Sequence, residues 1–101
     1  MPDFYVYMLQ CSDGSYYVGH TDDMDARLYQ HENKMFPKCY TAKRLPVKLV
    51  FVEGCSTREE VFTAEWQIKG WSRKKKEALI KNDYDLISLL SKKKFTKKII
   101  G

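Results

Sequence analysis

The chain has 101 residues, which is the size of one compact domain and leaves no room for a second. Hydrophobic residues make up 44% of it, enough for a core, and the formal net charge of +5 suits a polyanionic partner such as nucleic acid. The three cysteines are widely spaced, so the sequence predicts neither a disulfide framework nor a structural zinc site. No apolar run is long enough to span a bilayer, and we expect a cytoplasmic protein.

The first two predicted elements form a β-hairpin. Phe4–Gln10 is rich in aromatic and β-branched residues, and Tyr16–Thr21 repeats that pattern after a Ser-Asp-Gly-Ser turn. Two loop lengths fit the turn chemistry, and each sets a different register. A two-residue turn places Tyr7 and Tyr17 on opposite faces, whereas a three-residue loop places them on one face with Gly19 opposite Tyr7. Only the second register makes Gly19 part of a pocket, because it leaves space open beside the Tyr7 ring.

Helices and one more strand follow the hairpin. Their order is helix, strand, helix, helix, and their predicted bounds are about 24–32, 47–52, 57–69 and 73–81. Capping residues mark the helix starts: Asp22 or Asp23 for the first, Thr57 for the second and Ser72 for the third. The order β-β-α-β-α-α predicts an α+β fold, a small three-stranded antiparallel sheet flanked by helices.

The domain organisation is simple. Residues 1–90 are predicted to form a single domain, and residues 91–101 a lysine-rich C-terminal tail. Inside the domain, residues 33–46 are rich in lysine and contain two prolines, so we expect an irregular connection there.

Several large or polar side chains need an explanation beyond a plain core. Arg27 and His31 lie four residues apart on one helix face, beside the apolar stripe, where we expect them to be partly shielded from water. Glu65 falls within the apolar arc of the second helix, and a carboxylate there needs a cation or a metal ion. The alternatives are a surface Arg–His pair without a role and a structural salt bridge, for example from Glu65 to Arg27. Trp66 and Trp71 could stack on bases, although core packing is the commoner use.

These features, in this order, resemble the GIY-YIG nuclease superfamily, most closely its small stand-alone members. "YVYML" stands where that family has its GIY element, and "YYVGHTDDMDARLYQHE" resembles its YIG element with the following arginine helix. "AEWQIKGWSRKKKEALI" is similar to its glutamate helix. The resemblance spans residues 4 to about 90. Tyr5 and Val6 replace the glycine and isoleucine of GIY, and His20 stands where relatives commonly have isoleucine or lysine.

The resemblance implies metal-dependent hydrolysis of phosphodiester bonds. The expected substrate is DNA rather than RNA, including branched or damaged DNA, and the expected process is DNA repair. Glu65 matches the glutamate that holds one Mg²⁺ or Mn²⁺, and Arg27 matches the arginine that would clamp the scissile phosphate. Tyr7 matches the GIY tyrosine and would take a proton from the attacking water. Tyr17, the tyrosine of YIG, and His31 would orient water or phosphate.

Three further positions are secondary candidates: Gly19, His20 and Asn82, the last as the best match to an asparagine that family members often carry. A free tyrosine has a pKa of about 10, so Tyr7 needs a nearby cation to act as a base. The metal-bound water, Arg27 or His20 could supply it.

Two competing functions remain open on the sequence. A nucleic-acid-binding module with this fold and little turnover fits the charge and the aromatic residues equally well. A protein-interaction domain that uses the hairpin edge has no specific sequence support. Neither a membrane partner nor a small-molecule cofactor is expected.

Overall fold

A three-stranded antiparallel sheet with helices gives this chain an α+β fold, as its sequence predicts. The computed structural model describes residues 2–90, and the predicted tail lies outside them. The contacts between residues divide the chain into two compact units, one ending at Lys69 and one beginning at Gly70. The elements in chain order are β1 Phe4–Gln10, β2 Tyr16–Thr21, α1 Met24–Glu32, a short 3₁₀ helix Tyr40–Lys43, β3 Lys48–Cys55, α2 Arg58–Lys69 and α3 Arg73–Ile80. Residues 84–90 are also helical.

The hairpin closes with the three-residue loop. The Cys11 N–H donates to the Ser15 carbonyl oxygen at 2.8 Å, and Gly14 has a φ of 85°, in the left-handed region that glycine tolerates. In the resulting register Tyr7 lies directly opposite Gly19. The register predicted to build a pocket around Gly19 is therefore confirmed.

The central strand β1 pairs with β2 on one side and with β3 on the other. The third strand runs from Lys48 to Cys55 and is longer than the predicted 47–52, because its last residues pair with the start of β1, where Cys55 lies opposite Phe4. Four consecutive residues of β1, Val6 to Leu9, are buried, and because their side chains alternate between the two faces, both faces of the sheet are covered there.

The helix starts follow the predicted caps. The side chains of Asp23, Thr57 and Ser72 each accept a hydrogen bond from the backbone N–H three residues later, at 3.1, 3.1 and 3.3 Å. Of the two candidates for the N-cap of α1, Asp23 rather than Asp22 is therefore the residue that caps the helix. The connection predicted to be irregular contains the 3₁₀ helix, which carries the buried residue Thr41.

The two faces of the sheet receive different helices. Tyr7 and Leu9 belong to a buried cluster on one face, against which Met24 and Leu28 of α1 pack. Helix α2 contacts β1 and β2. None of the helices within residues 2–90 is long and apolar enough to cross a membrane.

Candidate active site

A buried tyrosine–histidine pair lies at the centre of the site. The Tyr7 hydroxyl oxygen is 2.8 Å from Nε2 of His31, and Tyr7 is fully buried. His31 is only 2% exposed, so the prediction that it would be partly shielded at the edge of α1 understated its burial. The histidine reaches inward because both of its ring nitrogens have buried partners.

The hydrogen bonds around His31 favour one tautomer of its ring. The Thr41 hydroxyl donates to the Cys39 sulfur at 3.6 Å, so its oxygen is left to accept from Nδ1–H of His31 at 2.9 Å. Burial, and then the charge of Arg27, lower the pKa of His31 and keep its ring neutral at pH 7. A neutral ring protonated on Nδ1 has a free lone pair on Nε2, and the Tyr7 hydroxyl therefore donates to it.

Tyr7 is a phenol rather than a phenolate in this arrangement. Burial raises the pKa of Tyr7 to about 12, and the nearby Arg27 guanidinium lowers it by less than burial raises it. Arg27 is thus present as the predicted neighbouring cation, but it does not ionise the hydroxyl. His20 cannot take that role from the same face, because the Tyr7–Gly19 register points the His20 side chain to the other face of the sheet.

Tyr17 lies beside this pair on the same face. Its ring centroid is 6.3 Å from that of Tyr7 and 5.2 Å from that of His31. Burial is the largest cause of the raised pKa of Tyr17. Burial also opposes ionisation of Cys39, but hydrogen bonds from Thr41 and Tyr17 lower the pKa of Cys39 below its ordinary value. The sulfur therefore accepts a hydrogen bond from the Thr41 hydroxyl and lies near the Tyr17 hydroxyl.

Gly19 is needed for close approach, not for an open cavity. A Cβ atom at this position would lie 2.6 Å from the Tyr7 hydroxyl oxygen and 3.1 Å from Cε2 of Tyr17. The expectation that glycine leaves empty space beside the Tyr7 ring is wrong, because the end of that ring fills the space. Gly19 allows the hydroxyl to pass over the strand and reach His31.

Glu65 has two nitrogen partners, the His20 ring and the Lys69 ammonium group. Its oxygens are 2.5 Å from Nδ1 of His20 and 2.7 Å from Nζ of Lys69, and its side chain is 15% exposed. Burial raises the pKa of Glu65, but the hydrogen bonds from Lys69 and His20 outweigh it and lower the value overall. The prediction of a cation partner is confirmed, although the suggested salt bridge to Arg27 is not the one formed.

Arg27 lies at the end of β2, near residues from both faces of the sheet. It lines a pocket of about 230 Å³ together with His20 and Thr21, at the end of β2. Its charge acts on the pKa values of Tyr7 and His31, and Glu65 also lies near enough to raise the pKa of Tyr7. The structure thus brings the tyrosine pair, the arginine and the glutamate into one electrostatic neighbourhood.

Trp66 and Asn82 were also candidates on the sequence. Trp66 is 78% exposed, so it is not a core residue. Asn82 belongs to the unit that begins at Gly70, and its φ of 57° places it in the left-handed conformation just after α3, which asparagine tolerates well.

Three contributors were missed by the sequence analysis. Thr41 and Cys39 lie in a connection without periodicity, so no sequence signal marks them. Lys69 had a signal, since it follows Glu65 by four residues on the same helix.

The donors that could hold a metal are few. Within residues 2–90 no group of three or more His, Cys, Asp or Glu side chains could enclose an ion. A single carboxylate suits Mg²⁺, which keeps several waters and takes few protein ligands. Glu65 fits that role, and an ion there would displace His20 or Lys69 from at least one carboxylate oxygen.

Fold and site together define an α+β domain in which the hairpin and two helices each supply part of one polar site. The family described as the GIY-YIG catalytic domain matches residues 3–78, and the chain belongs to this family. Members of this nuclease family act on nucleic acid and generally use divalent metal ions.

The relatives are small bacterial proteins. The chain is 43% identical over 81 residues to a UPF0213 protein of Streptococcus pneumoniae serotype 4, covering 80% of this chain and 81% of that protein. A UPF0213 protein of Staphylococcus saprophyticus is 41% identical over 80 residues, covering 79% and 96%. A solution NMR structure of an E. faecalis protein has a TM-score of 0.58 and 38% identity, covering 83% of this chain and 92% of that chain. A solution NMR structure of a UPF0213 protein of Bacillus halodurans has a TM-score of 0.52 and 40% identity, covering 77% of this chain and 82% of that chain.

Proposed function

We propose that the chain is a divalent-metal-dependent endonuclease that hydrolyses phosphodiester bonds in DNA, branched or damaged DNA included. The observation that carries the proposal is the directed hydrogen-bond chain from Tyr7 through His31 to Thr41. A buried, fully oriented chain of this kind can receive a proton at one end, which is what activation of water requires.

Proton transfer would proceed as a relay. As the water oxygen bonds to phosphorus, the bond from phosphorus to the leaving sugar oxygen breaks, and that oxygen takes a proton from solvent. The attacking water gives its proton to the Tyr7 hydroxyl oxygen while the Tyr7 proton passes to Nε2 of His31, which later returns it to solvent. The histidine becomes an imidazolium whose Nδ1–H remains bonded to Thr41. This route never forms a phenolate, so the raised pKa of Tyr7 is no obstacle to it. His31, neutral in the resting state, is the final acceptor.

Access to Tyr7 would depend on Arg27. The tyrosine is fully buried in this conformation, and the Arg27 guanidinium lies beside its hydroxyl. A phosphate that draws the guanidinium outward would uncover the hydroxyl at the moment the substrate arrives. Arg27 would then also offset the charge that develops on the phosphate oxygens in the transition state.

Glu65 is the residue that would hold the ion. One Mg²⁺ or Mn²⁺ there would bind phosphate oxygens and stabilise negative charge on them. The same carboxylate would keep His20 and Lys69 nearby, and in this proposal both would contact the substrate strand.

The domain organisation and the cellular compartment of the protein are also proposed. We propose that residues 1–90 work as one domain, which agrees with a family match that continues past Gly70 to residue 78. Three free cysteines agree with a reducing compartment such as the cytoplasm, where a role in DNA repair would be exercised.

The test is metal-dependent cleavage of flapped, single-stranded and duplex DNA, and of matching RNA, with Mg²⁺ or Mn²⁺. We expect Glu65→Gln to abolish cleavage, and Glu59→Gln, an exposed carboxylate on the same helix, to leave it intact. Equal cleavage by wild type and Glu65→Gln would exclude the proposal.

A nucleic-acid-binding module with little turnover is the second candidate. It is favoured by the engagement of both Glu65 oxygens and by the complete burial of Tyr7. Binding that weakens steeply with salt, together with no cleavage under any metal, would select it.

A further inference from the structure

A second cationic side chain faces the pocket that Arg27 lines. Arg58, the first residue of α2, borders the same cavity of about 230 Å³, at the end of the sheet marked by Phe4 and Thr21. The Arg58 guanidinium carbon lies 5.1 Å from the centroid of the Phe4 ring, a cation–π contact that holds the side chain over the pocket wall.

Neither arginine forms an ion pair with a described residue. Among the ion pairs formed within residues 2–90, none involves Arg27 or Arg58. Most cations of a folded surface can turn into water, but these two converge on one concave site. Asp22 also lines the cavity, so its three permanent charges sum to one positive charge.

We infer that this pocket binds a second backbone phosphate of the nucleic acid, adjacent to the scissile one, with Arg58 as its main contact. The inference rests on the proposed function, because it takes the strand to be nucleic acid. Arg27 would stand between the two phosphates, since it faces both the pocket and the Tyr7 site.

The carboxylate of Asp22 sets the kind of phosphate. An internal phosphodiester carries one negative charge, whereas a terminal phosphomonoester carries about 1.5 to 2 at pH 7. A lining with one net positive charge balances the single charge of an internal phosphodiester. The Asp22 carboxylate repels the additional negative charge of a terminal phosphomonoester. The pocket therefore selects internal positions of a strand over phosphorylated ends, which suits an endonuclease.

The experiment measures the salt dependence of binding to a short duplex oligonucleotide in EDTA, so that cleavage plays no part. The logarithm of the binding constant falls with the logarithm of salt concentration by about 0.9 for each duplex phosphate contacted. Arg58→Ala should reduce this slope by about that amount and weaken binding by about tenfold at low salt. Arg58→Lys should retain most of the slope.

The matched control is Lys48→Ala, which removes an exposed lysine at the opposite end of the sheet. We expect it to leave the slope unchanged. A second comparison uses oligonucleotides with and without a 5′-phosphate: equal affinities are expected for wild type, and a gain from the 5′-phosphate only in Asp22→Asn.

The two proposals fail in different ways. An unchanged slope in Arg58→Ala, or an equal loss in Lys48→Ala, would overturn the phosphate pocket even if Glu65-dependent cleavage is seen. An Arg58-dependent slope without any metal-dependent cleavage would support the pocket and contradict the nuclease activity.

Discussion

Replacement of Gly19 by alanine is the sharpest test of how the fold builds the site. An exposed strand glycine changed to alanine ordinarily gains about 0.5–1 kcal/mol, because the backbone loses less entropy on folding. Here the new Cβ would lie 2.6 Å from the Tyr7 hydroxyl oxygen and 2.8 Å from Cζ of that ring. The first contact is about 0.8 Å shorter than the 3.4 Å at which ordinary contact begins.

Tyr7 cannot move away from the new Cβ atom without losing its hydrogen bond to His31. A shift of that size along the 2.8 Å bond to His31 would lengthen it beyond hydrogen-bond distance. A buried hydroxyl left unpaired costs about 1–3 kcal/mol, and overpacking a core costs a similar amount. The two costs together exceed the gain of about 0.5–1 kcal/mol in backbone entropy, so we expect Gly19→Ala to lower the free energy of unfolding by about 1–5 kcal/mol, which reverses the ordinary sign.

The assay is urea denaturation, with thermal melting as a check, where 1 kcal/mol corresponds to about 4–8 °C in a domain of this size. Gly54→Ala is the matched control: its Cβ would meet the exposed residue Pro2 alone, and we expect a change below about 1 kcal/mol. If Gly19→Ala were as stable as wild type, the close packing of Tyr7 over the strand would be refuted.

Three further predictions concern the hydrogen bonds of the site. Thr41→Val should remove the acceptor for Nδ1–H of His31, and ¹⁵N NMR should then show loss of the Nδ1–H tautomer. Thr41→Ser should retain that tautomer. An unchanged tautomer in Thr41→Val would contradict the assignment. Because the pKa of His31 is lowered in the folded state, the unfolded chain binds more protons in mildly acidic solution, and stability should fall as pH drops below the ordinary value of 6.5. Denaturation midpoints measured from pH 7.5 down to about 5.5 should show this decrease, and His31→Gln should flatten it. Lys69→Met removes a cation that competes at Glu65 and should tighten Mn²⁺ binding by up to about fivefold in calorimetry; weaker binding would show that the lysine supports the ion.

The hairpin shows what the sequence can predict. Its turn chemistry limits the hairpin to two registers, and the structure has the one that pairs Tyr7 with Gly19. Capping residues at Asp22 or Asp23, Thr57 and Ser72 locate the starts of three helices. Such features depend on neighbours in the chain, so they are visible without the tertiary structure.

The partners of the site residues were harder to predict. Thr41 meets His31 across a connection that has no periodic pattern, and only the tertiary fold brings the two together. The pairing of His20 with Glu65 had a usable signal, because the chosen register already places His20 on the face opposite Tyr7. Burial of Tyr7 depends on packing from several elements, which the alternation within one strand does not reveal.

The central claim is that Tyr7 and His31 act as one relay in phosphodiester hydrolysis. Single-turnover cleavage by Tyr7→Phe, His31→Gln and the double variant, each with Mn²⁺, tests it most directly. We expect each single variant to be slower by about 10²–10⁴-fold, and the double variant to be no slower than the worse single one, because groups that act as a unit are not additive. Wild-type rates in either single variant, or losses that multiply in the double variant, would contradict the relay.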